Sequence, residues 1–586
     1  MKKTMKRVLF GTMAAMMCLS TVACGGDFGD EISSSSTPNS SENLGVTVSN
    51  PYKLSLFNFG GGYGREWLDS LIMRYKKERA GKEFVIDGVT YDGVEFDVTS
   101  EKTMMVTLAT TDQHYDIVFQ EQVAYNKYVD QGNIFAPMTE VLTKENPYEP
   151  GTTLEDKLTD EQKAFYKMDT DGDGAGDTYY GIPHYAGYVG IIYNKNMFET
   201  KGWYFANGYA KEDLEDGSCF TSDLSNRTAG PDGKAGTEDD GLPTTYEEFY
   251  ALCSYISYTN QPVSWAGKYR EEYLNWFITA LTANYEGLEQ MSLNYNYEGQ
   301  AKNLISVADD GTVTKLDELA INGAENGYEL TKQAGKYYAL SFLEKIANEG
   351  WYSAGSFIDT YEQTYAQRDF VRGTSNDSER AAMLIDGVWW EMEADNYFDE
   401  IQQLLGRNDK DRYGWMPLPC ATEEQAQARA NALQNGGAGY TLMDTHNSLC
   451  FLGKEISEGA KNIAIDFIQF AYTDASLAEF SQITDTTKAV KYTMNAEQKA
   501  KMSGFGRSLV EMKEKSNLVY GFSKTSFYKN NEETFTDYKS LYSSRIDGSI
   551  AKVAFDQFVK GVSAKTYFDG MYIYQQGQWN SGSIVK

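Results

Sequence analysis

Apolar and polar residues alternate from Lys53 to Phe59 (Lys-Leu-Ser-Leu-Phe-Asn-Phe), a period of two that predicts a β-strand. Gly60 to Gly64 makes a flexible turn. From Arg65 to Arg79 the period lengthens, and Trp67, Leu68, Leu71, Ile72 and Tyr75 fall on one helical face. Tyr115-Asp-Ile-Val-Phe119 reads as a short buried strand, followed by a helical stretch to Gln131 that Gly132 stops. Gly181-Ile-Pro183 precedes a third strand, Gly190-Ile-Ile-Tyr193. Ala381-Ala-Met-Leu-Ile385 is again strand-like, and Lys461 to Tyr472 is helical with Ile463, Phe467, Phe470 and Ala471 aligned. Strands alternating with helices predict an α/β architecture with mainly parallel sheets. No internal repeat is visible.

The N-terminus breaks this pattern. Lys2, Lys3, Lys6 and Arg7 precede an apolar run from Val8 to Leu19, and Ser20-Thr-Val-Ala-Cys24 follows. A basic start, a short apolar stretch and small residues before a cut are the parts of an export signal. The run is shorter than the ~20 residues a membrane-spanning helix needs. Small residues before Cys24 resemble the bacterial lipoprotein box, with Thr21 where that box usually carries an aliphatic residue. The resemblance implies a signal peptide over 1–23 and lipidation of Cys24. The serine-rich stretch after it cannot bury enough apolar surface to fold, so 24–50 reads as a flexible tether. The expected location is the outer face of a bacterial cytoplasmic membrane, held by the lipid anchor alone.

Composition narrows the partners. The chain has 586 residues, and 53 basic against 84 acidic ones give a formal charge of -31, which repels nucleic acid and anionic lipid. With 43 Tyr, 29 Phe and 9 Trp there are rings to stack on sugar faces, although rings also build ordinary cores. Beyond Cys18 and Cys24, the cysteines Cys219, Cys253, Cys420 and Cys450 are far apart and form no C-x-x-C pair, so their pairing is open. The three histidines, His114, His184 and His446, form no H-E-x-x-H, and no G-x-S-x-G or phosphate loop is present. The sequence therefore gives an enzyme no specific support, and no organic cofactor is expected.

Two acidic loops suggest structural calcium. In Asp169-Thr-Asp171-Gly-Asp173-Gly-Ala175-Gly-Asp177, alternating carboxylates with Gly at the sixth place match a calcium loop. Tyr180 stands at the twelfth place, where an EF-hand supplies Glu. The ligands would be the side chains of Asp169, Asp171, Asp173 and Asp177 and the carbonyl of Ala175. The second loop, Gly230 to Gly241, offers Asp232, Asp239 and Asp240 in no EF-hand register. Gly60-Gly-Gly-Tyr-Gly64 lacks the later glycine and acid of a dinucleotide fingerprint and reads as a loop that lets a ligand approach the backbone.

Five segments in order carry a family resemblance: Tyr115–Phe119; Tyr180-Gly-Ile-Pro183 with Ile192-Tyr-Asn-Lys195; Leu242-Pro-Thr-Thr-Tyr246; Ala381–Trp389; and Gly436-Gly-Ala-Gly-Tyr440. Together they resemble the carbohydrate-specific extracellular solute-binding proteins of ATP-binding-cassette importers, from about Tyr52 onward. The resemblance implies a two-lobed periplasmic-binding-protein-like fold with a hinge and an inter-lobe cleft. Lobe one would hold 51–185 and 433–489, and lobe two 186–432 and 490–586. It implies a monomer that captures oligosaccharide, closes, and docks on membrane permease subunits. The rival readings are a glycan-degrading surface enzyme and a non-transport surface adhesin.

Candidate ligand residues follow from both lines. Ligands gather at the carboxyl ends of parallel strands, which points to Asn58, Gln120 and Glu121. His184 and Tyr185 sit at the expected hinge crossover. The family resemblance adds Trp389 and Trp390, where a ring stacks on sugar, and Glu271 and Tyr273 near Trp276, with Trp265 and Tyr269 as alternatives. Two adjacent Trp on an extended segment point apart, which favours Trp389 for the cleft and buries Trp390.

Overall fold

The strand expected from Lys53 spans Pro51–Phe59, and the amphipathic run after it is a helix, Glu66–Arg79, that buries Trp67, Leu68, Leu71 and Tyr75. Glu66 and Asp69 in its first turn and Lys76, Lys77 and Arg79 in its last complement the helix dipole. The computed structural model describes residues 48–586, apart from 104, 109–113, 131–133, 171–175, 259–262, 265–269, 358–361, 373–379, 407–411 and 537–540.

Two sheets organise the described residues. Their strands in chain order are β1 (Pro51–Phe59), β2 (Gly93–Glu101), β3 (Ile117–Gln120), β4 (Ile182–Pro183), β5 (Val189–Asn194), β6 (Val263–Ser264), β7 (Met383–Gly387), β8 (Tyr413–Met416) and β9 (Leu449–Leu452). The first sheet runs β2-β1-β3-β9-β4 and the second β6-β7-β5-β8. β1 is parallel to β2 and β3, and its Leu54, Leu56 and Phe57 are buried, as a strand covered on both faces requires. Helix Glu458–Ala471 covers this sheet through Ile463, Phe467 and Ile468. It is tied to helix Glu66–Arg79 by the Tyr75 hydroxyl, which donates to Asp466 at 2.6 Å.

The expectation of mainly parallel sheets holds for β1 with β2 and β3 and for β6 with β7, and fails at β5 and β9. β9 is antiparallel to β3 and β4, and β5 is antiparallel to β7 and β8. The reason lies in where each strand begins. β5 and β9 start at the junction between the sheets and lead away from it. β3, β4, β7 and β8 run back towards it. Periodicity is blind to that direction.

The junction is a three-segment hinge. Residues 184–188 join β4 to β5, 444–448 lead into β9, and 485–489 follow helix Asp474–Thr484. They lie side by side. The His184 amide donates to the Ser448 carbonyl (2.8 Å), the Thr445 amide to the Gly187 carbonyl (2.9 Å), and the Ala186 amide to the Thr487 carbonyl (3.3 Å). Gly187 permits this approach: a Cβ there would lie 2.4 Å from His446 Nδ1. Strand Tyr440–Asp444, which feeds the second segment, pairs in parallel with Ser516–Tyr520.

The long helix Arg270–Asn296 is interrupted at Gly287, whose φ of 68° suits glycine alone. A C-terminal layer ends in helix Ala564–Ser581. Cys219, Cys253, Cys420 and Cys450 are buried free thiols, which settles their pairing: none. Among the described residues no helix is long and apolar enough to cross a membrane.

Candidate functional site

The ends of β1 and β3 meet the first hinge segment around a small cavity of about 10 Å³. Its lining includes Asn58, Gln120, Glu121, His184, Tyr185 and Tyr63. Five residues singled out from the sequence are thus neighbours. Asn58 closes β1 and donates through Nδ2 to the Gly64 carbonyl (3.1 Å) and Ser100 Oγ (3.0 Å), which braces the glycine turn. Gln120 ends β3; its Nε2 donates to the Thr103 carbonyl (3.1 Å), while Oε1, fully buried, has no partner. Burial pushes the half-buried Glu121 carboxyl up to about 8, against a hydrogen bond from the Tyr185 hydroxyl that favours its ionised form.

His184 and Tyr185 form the rear wall. The Tyr185 ring packs edge-on against Tyr63, centroids 4.3 Å apart. His184 Nδ1 is hydrogen-bonded to Lys488 Nζ, and burial holds the imidazole neutral. Lys488 Nζ sits over the rings of Phe480 (4.0 Å) and Trp67 (4.8 Å), with its own basicity lowered by burial.

Lobe two faces this wall with Trp389, directly after β7. Gly62, in the glycine turn, is so close that a Cβ there would fall 2.9 Å from the Trp389 Cβ. Trp389 Nε1 donates to the Tyr273 hydroxyl (3.2 Å), and its ring lies 4.3 Å from His446 and 5.9 Å from Trp276. Trp390 turns away into the lobe-two core among Phe370, Tyr413 and Phe505 and is fully buried. Glu271 falls at the start of helix Arg270–Asn296, but its side chain, like all of Trp265 and Tyr269, lies outside the described residues.

Sequence reading missed three groups here. Gln367 Nε2 donates to Asp386 Oδ2 (3.0 Å) and Glu393 Oε2 (2.9 Å), gathering two carboxylates beside Trp389. Burial and mutual repulsion hold the Asp386 carboxyl well above the ordinary range, and burial raises Glu393 too. The Glu393 charge also raises the Glu121 carboxyl, less than burial does. Asp386 stood inside a quoted motif; Gln367 and Glu393 carry no local signal, because only the fold brings them to β7.

A second set of contacts lies far from the hinge. Glu532, in helix Glu532–Thr536, accepts from Asn126 Nδ2 (3.0 Å) and the Lys127 amide (3.1 Å) at the start of helix Tyr125–Asp130. Lys127 pairs with Glu533. Burial raises the Glu532 carboxyl to about 7.

Of the acidic loops, Asp169 and Asp177 flank the tip of a hairpin formed by Lys167–Met168 and Thr178–Tyr179. Asp171, Asp173 and Ala175 lie outside the described residues, as does Cys24. In the second loop, Asp232 accepts from the Lys234 amide (2.8 Å), Asp239 from the Asp232 amide (2.9 Å) and Asp240 from the Gly236 amide (2.7 Å). The Thr237 hydroxyl donates to Asp239 at 2.7 Å. Among the described residues no three His, Cys, Asp or Glu side chains converge as a metal group.

Comparison with solved structures bears on the fold. A chitin oligosaccharide binding protein aligns over 90% of this chain and 99% of its own, with a TM-score of 0.50 at 13% identity. The chain has the fold of a two-lobed solute receptor. The cyclic alpha-maltosyl-1,6-maltose binding protein from Arthrobacter globiformis aligns over 91% of this chain and 100% of its own, with a TM-score of 0.48 at 11% identity. No family model matches the sequence, and no curated protein matches it.

Proposed function

We propose that this chain is the extracytoplasmic receptor of an ATP-binding-cassette importer: a lipid-anchored monomer that captures an oligosaccharide between its lobes and hands it unaltered to the permease. One observation carries the reading. The strand ends after β1 and β3 and the hinge wall line one small cavity rich in rings and hydrogen-bonding groups, and Trp389, following β7, packs onto the glycine turn beside it. Rings against the C–H faces of a pyranose bury apolar area, and flanking polar groups select its hydroxyls. A cavity of about 10 Å³ has room for about one water, so a sugar enters only when the lobes part. Contacts to both lobes then favour closure.

A calorimetric screen of the purified chain against an oligosaccharide panel, with chromatography of the recovered glycan, tests this reading. At least one glycan binding at one per chain and returning intact supports it. Shortened products would turn the Asp386–Glu393 pair into a hydrolytic one and favour the enzyme reading. A panel without any binder would favour the adhesin.

A further inference from the structure

A partly open cavity of about 230 Å³ lies beside the third hinge segment, whose Thr487 and Ala489 line it. It shares no lining residue with the small cavity at the ends of β1 and β3. Val510 and Lys513 reach it from helix Gly504–Glu514, which packs on β8 with Phe505 5.9 Å from Trp415. Leu518 and Tyr520 reach it from the strand paired with Tyr440–Asp444. Val490, Val510 and Leu518 supply aliphatic walls, and Tyr492 and Tyr520 supply rings. Both rings are held in place: the Tyr492 hydroxyl shares a 2.6 Å hydrogen bond with Ser481 Oγ, and Tyr520 stacks on Phe522 at 4.9 Å.

Set among these walls is a cation. Lys513 Nζ lies 5.6 Å from the centroid of the Tyr492 ring and donates to the Lys488 carbonyl at 2.7 Å, which uses one of the three donors of an ammonium. The carboxylates that act on it are engaged elsewhere. Asp444 Oδ1 accepts from the Gly187 and His446 amides, each at 3.1 Å, and Glu514 pairs with Lys499 at 2.6 Å. Among the described residues Lys513 makes no ion pair, and burial lowers its basicity to about 8, which leaves it mostly protonated at neutral pH. Lys491, which is exposed, adds a second positive charge to the lining. In a chain of net charge -31, two lysines and one carboxylate that is already paired invert the local sign.

Rings and aliphatic walls bury an apolar body, and the lone ammonium calls for an anionic head. A dry cavity of about 150 Å³ holds benzene, so this one has room for a ring with a short arm. A polyol would turn hydroxyls onto walls that offer them no partner. We propose that the cavity is a second ligand site, for a small aromatic carboxylate whose ring lies against Tyr492, Tyr520 and Leu518 and whose carboxylate pairs with Lys513 Nζ. The site is independent of the saccharide reading.

Calorimetric titration of the full chain with cinnamate, and with cinnamamide as its neutral counterpart, tests the proposal at neutral pH. Cinnamate should bind at one per chain and about tenfold or more tighter than the amide. Lys513→Gln, which keeps a donor for the Lys488 carbonyl, should weaken cinnamate about tenfold and leave the amide unchanged. Leu518→Trp, which fills the cavity, should abolish binding of both. Unchanged melting establishes that a variant is folded; should one melt early, the other decides. No binding of cinnamate, equal affinity for acid and amide, or an affinity for cinnamate that ignores a folded variant would overturn the proposal and leave the receptor reading untouched.

Discussion

Trp389 and Trp390 are adjacent in sequence and opposite in surroundings. One packs against Gly62 of the other lobe; the other is enclosed by Phe370, Tyr413 and Phe505. Their substitutions should separate binding from stability. Trp389→Ala is expected to weaken saccharide affinity about tenfold, ~1.4 kcal/mol, in a calorimetric titration. Trp390→Ala is expected to cost about 3–5 kcal/mol of folding stability by denaturant melting. The divergence of the pair was legible, because consecutive side chains leave an extended backbone on opposite sides. That Asn58, Gln120 and Glu121 lie together was legible as well, because strand ends are where open α/β sheets present side chains. The partnership of Gln367 with Asp386 and Glu393 was not legible: no periodicity links residue 367 to 393, and only the packing of helix Gln363–Val371 against β7 does so.

At the scale of elements, the boundaries of β1, β3, β5 and helix Glu458–Ala471 agree with the hydrophobic pattern within a few residues, because each buries a face that the pattern marks. Strand direction was not available from that pattern. It follows from which strands start at the hinge, a property of the chain's three crossings. The loop from Asp169 to Asp177 is the tip of a hairpin that leads into β4 and the hinge. We propose that calcium braces it, since close carboxylates repel without a cation. Chelator should then lower the calorimetric melting midpoint, and added calcium should restore it. An unchanged midpoint removes calcium from the account.

For the whole molecule, closure carries a proton balance. An exposed Glu has a pKa near ~4.3, whereas burial places Glu121 at about 8 and Glu532 at about 7. Raised carboxylate values mean that the closed form holds protons that an open form releases. Closure is therefore least penalised at low pH, and the penalty grows until pH passes the raised values. His446, pushed down to about 3, opposes this only below its ordinary value. Lys488 is caged by rings of lobe one, Trp67 and Phe480 among them, so opening leaves its surroundings in place. Between about pH 6.5 and 8 the acids decide the sign. The ligand-free protein is expected to sediment more slowly, as a more open particle, at the upper end of that range, and Glu121→Gln should flatten the dependence.

The central claim is that two lobes shut on a carbohydrate that touches both. Small-angle X-ray scattering of the full chain, with and without a saturating amount of the tightest glycan from the screen, measures that directly. The account predicts a smaller radius of gyration on binding, reversed when the glycan is dialysed away. A scattering curve unchanged at saturation would mean that the lobes do not close around it, and would contradict the account.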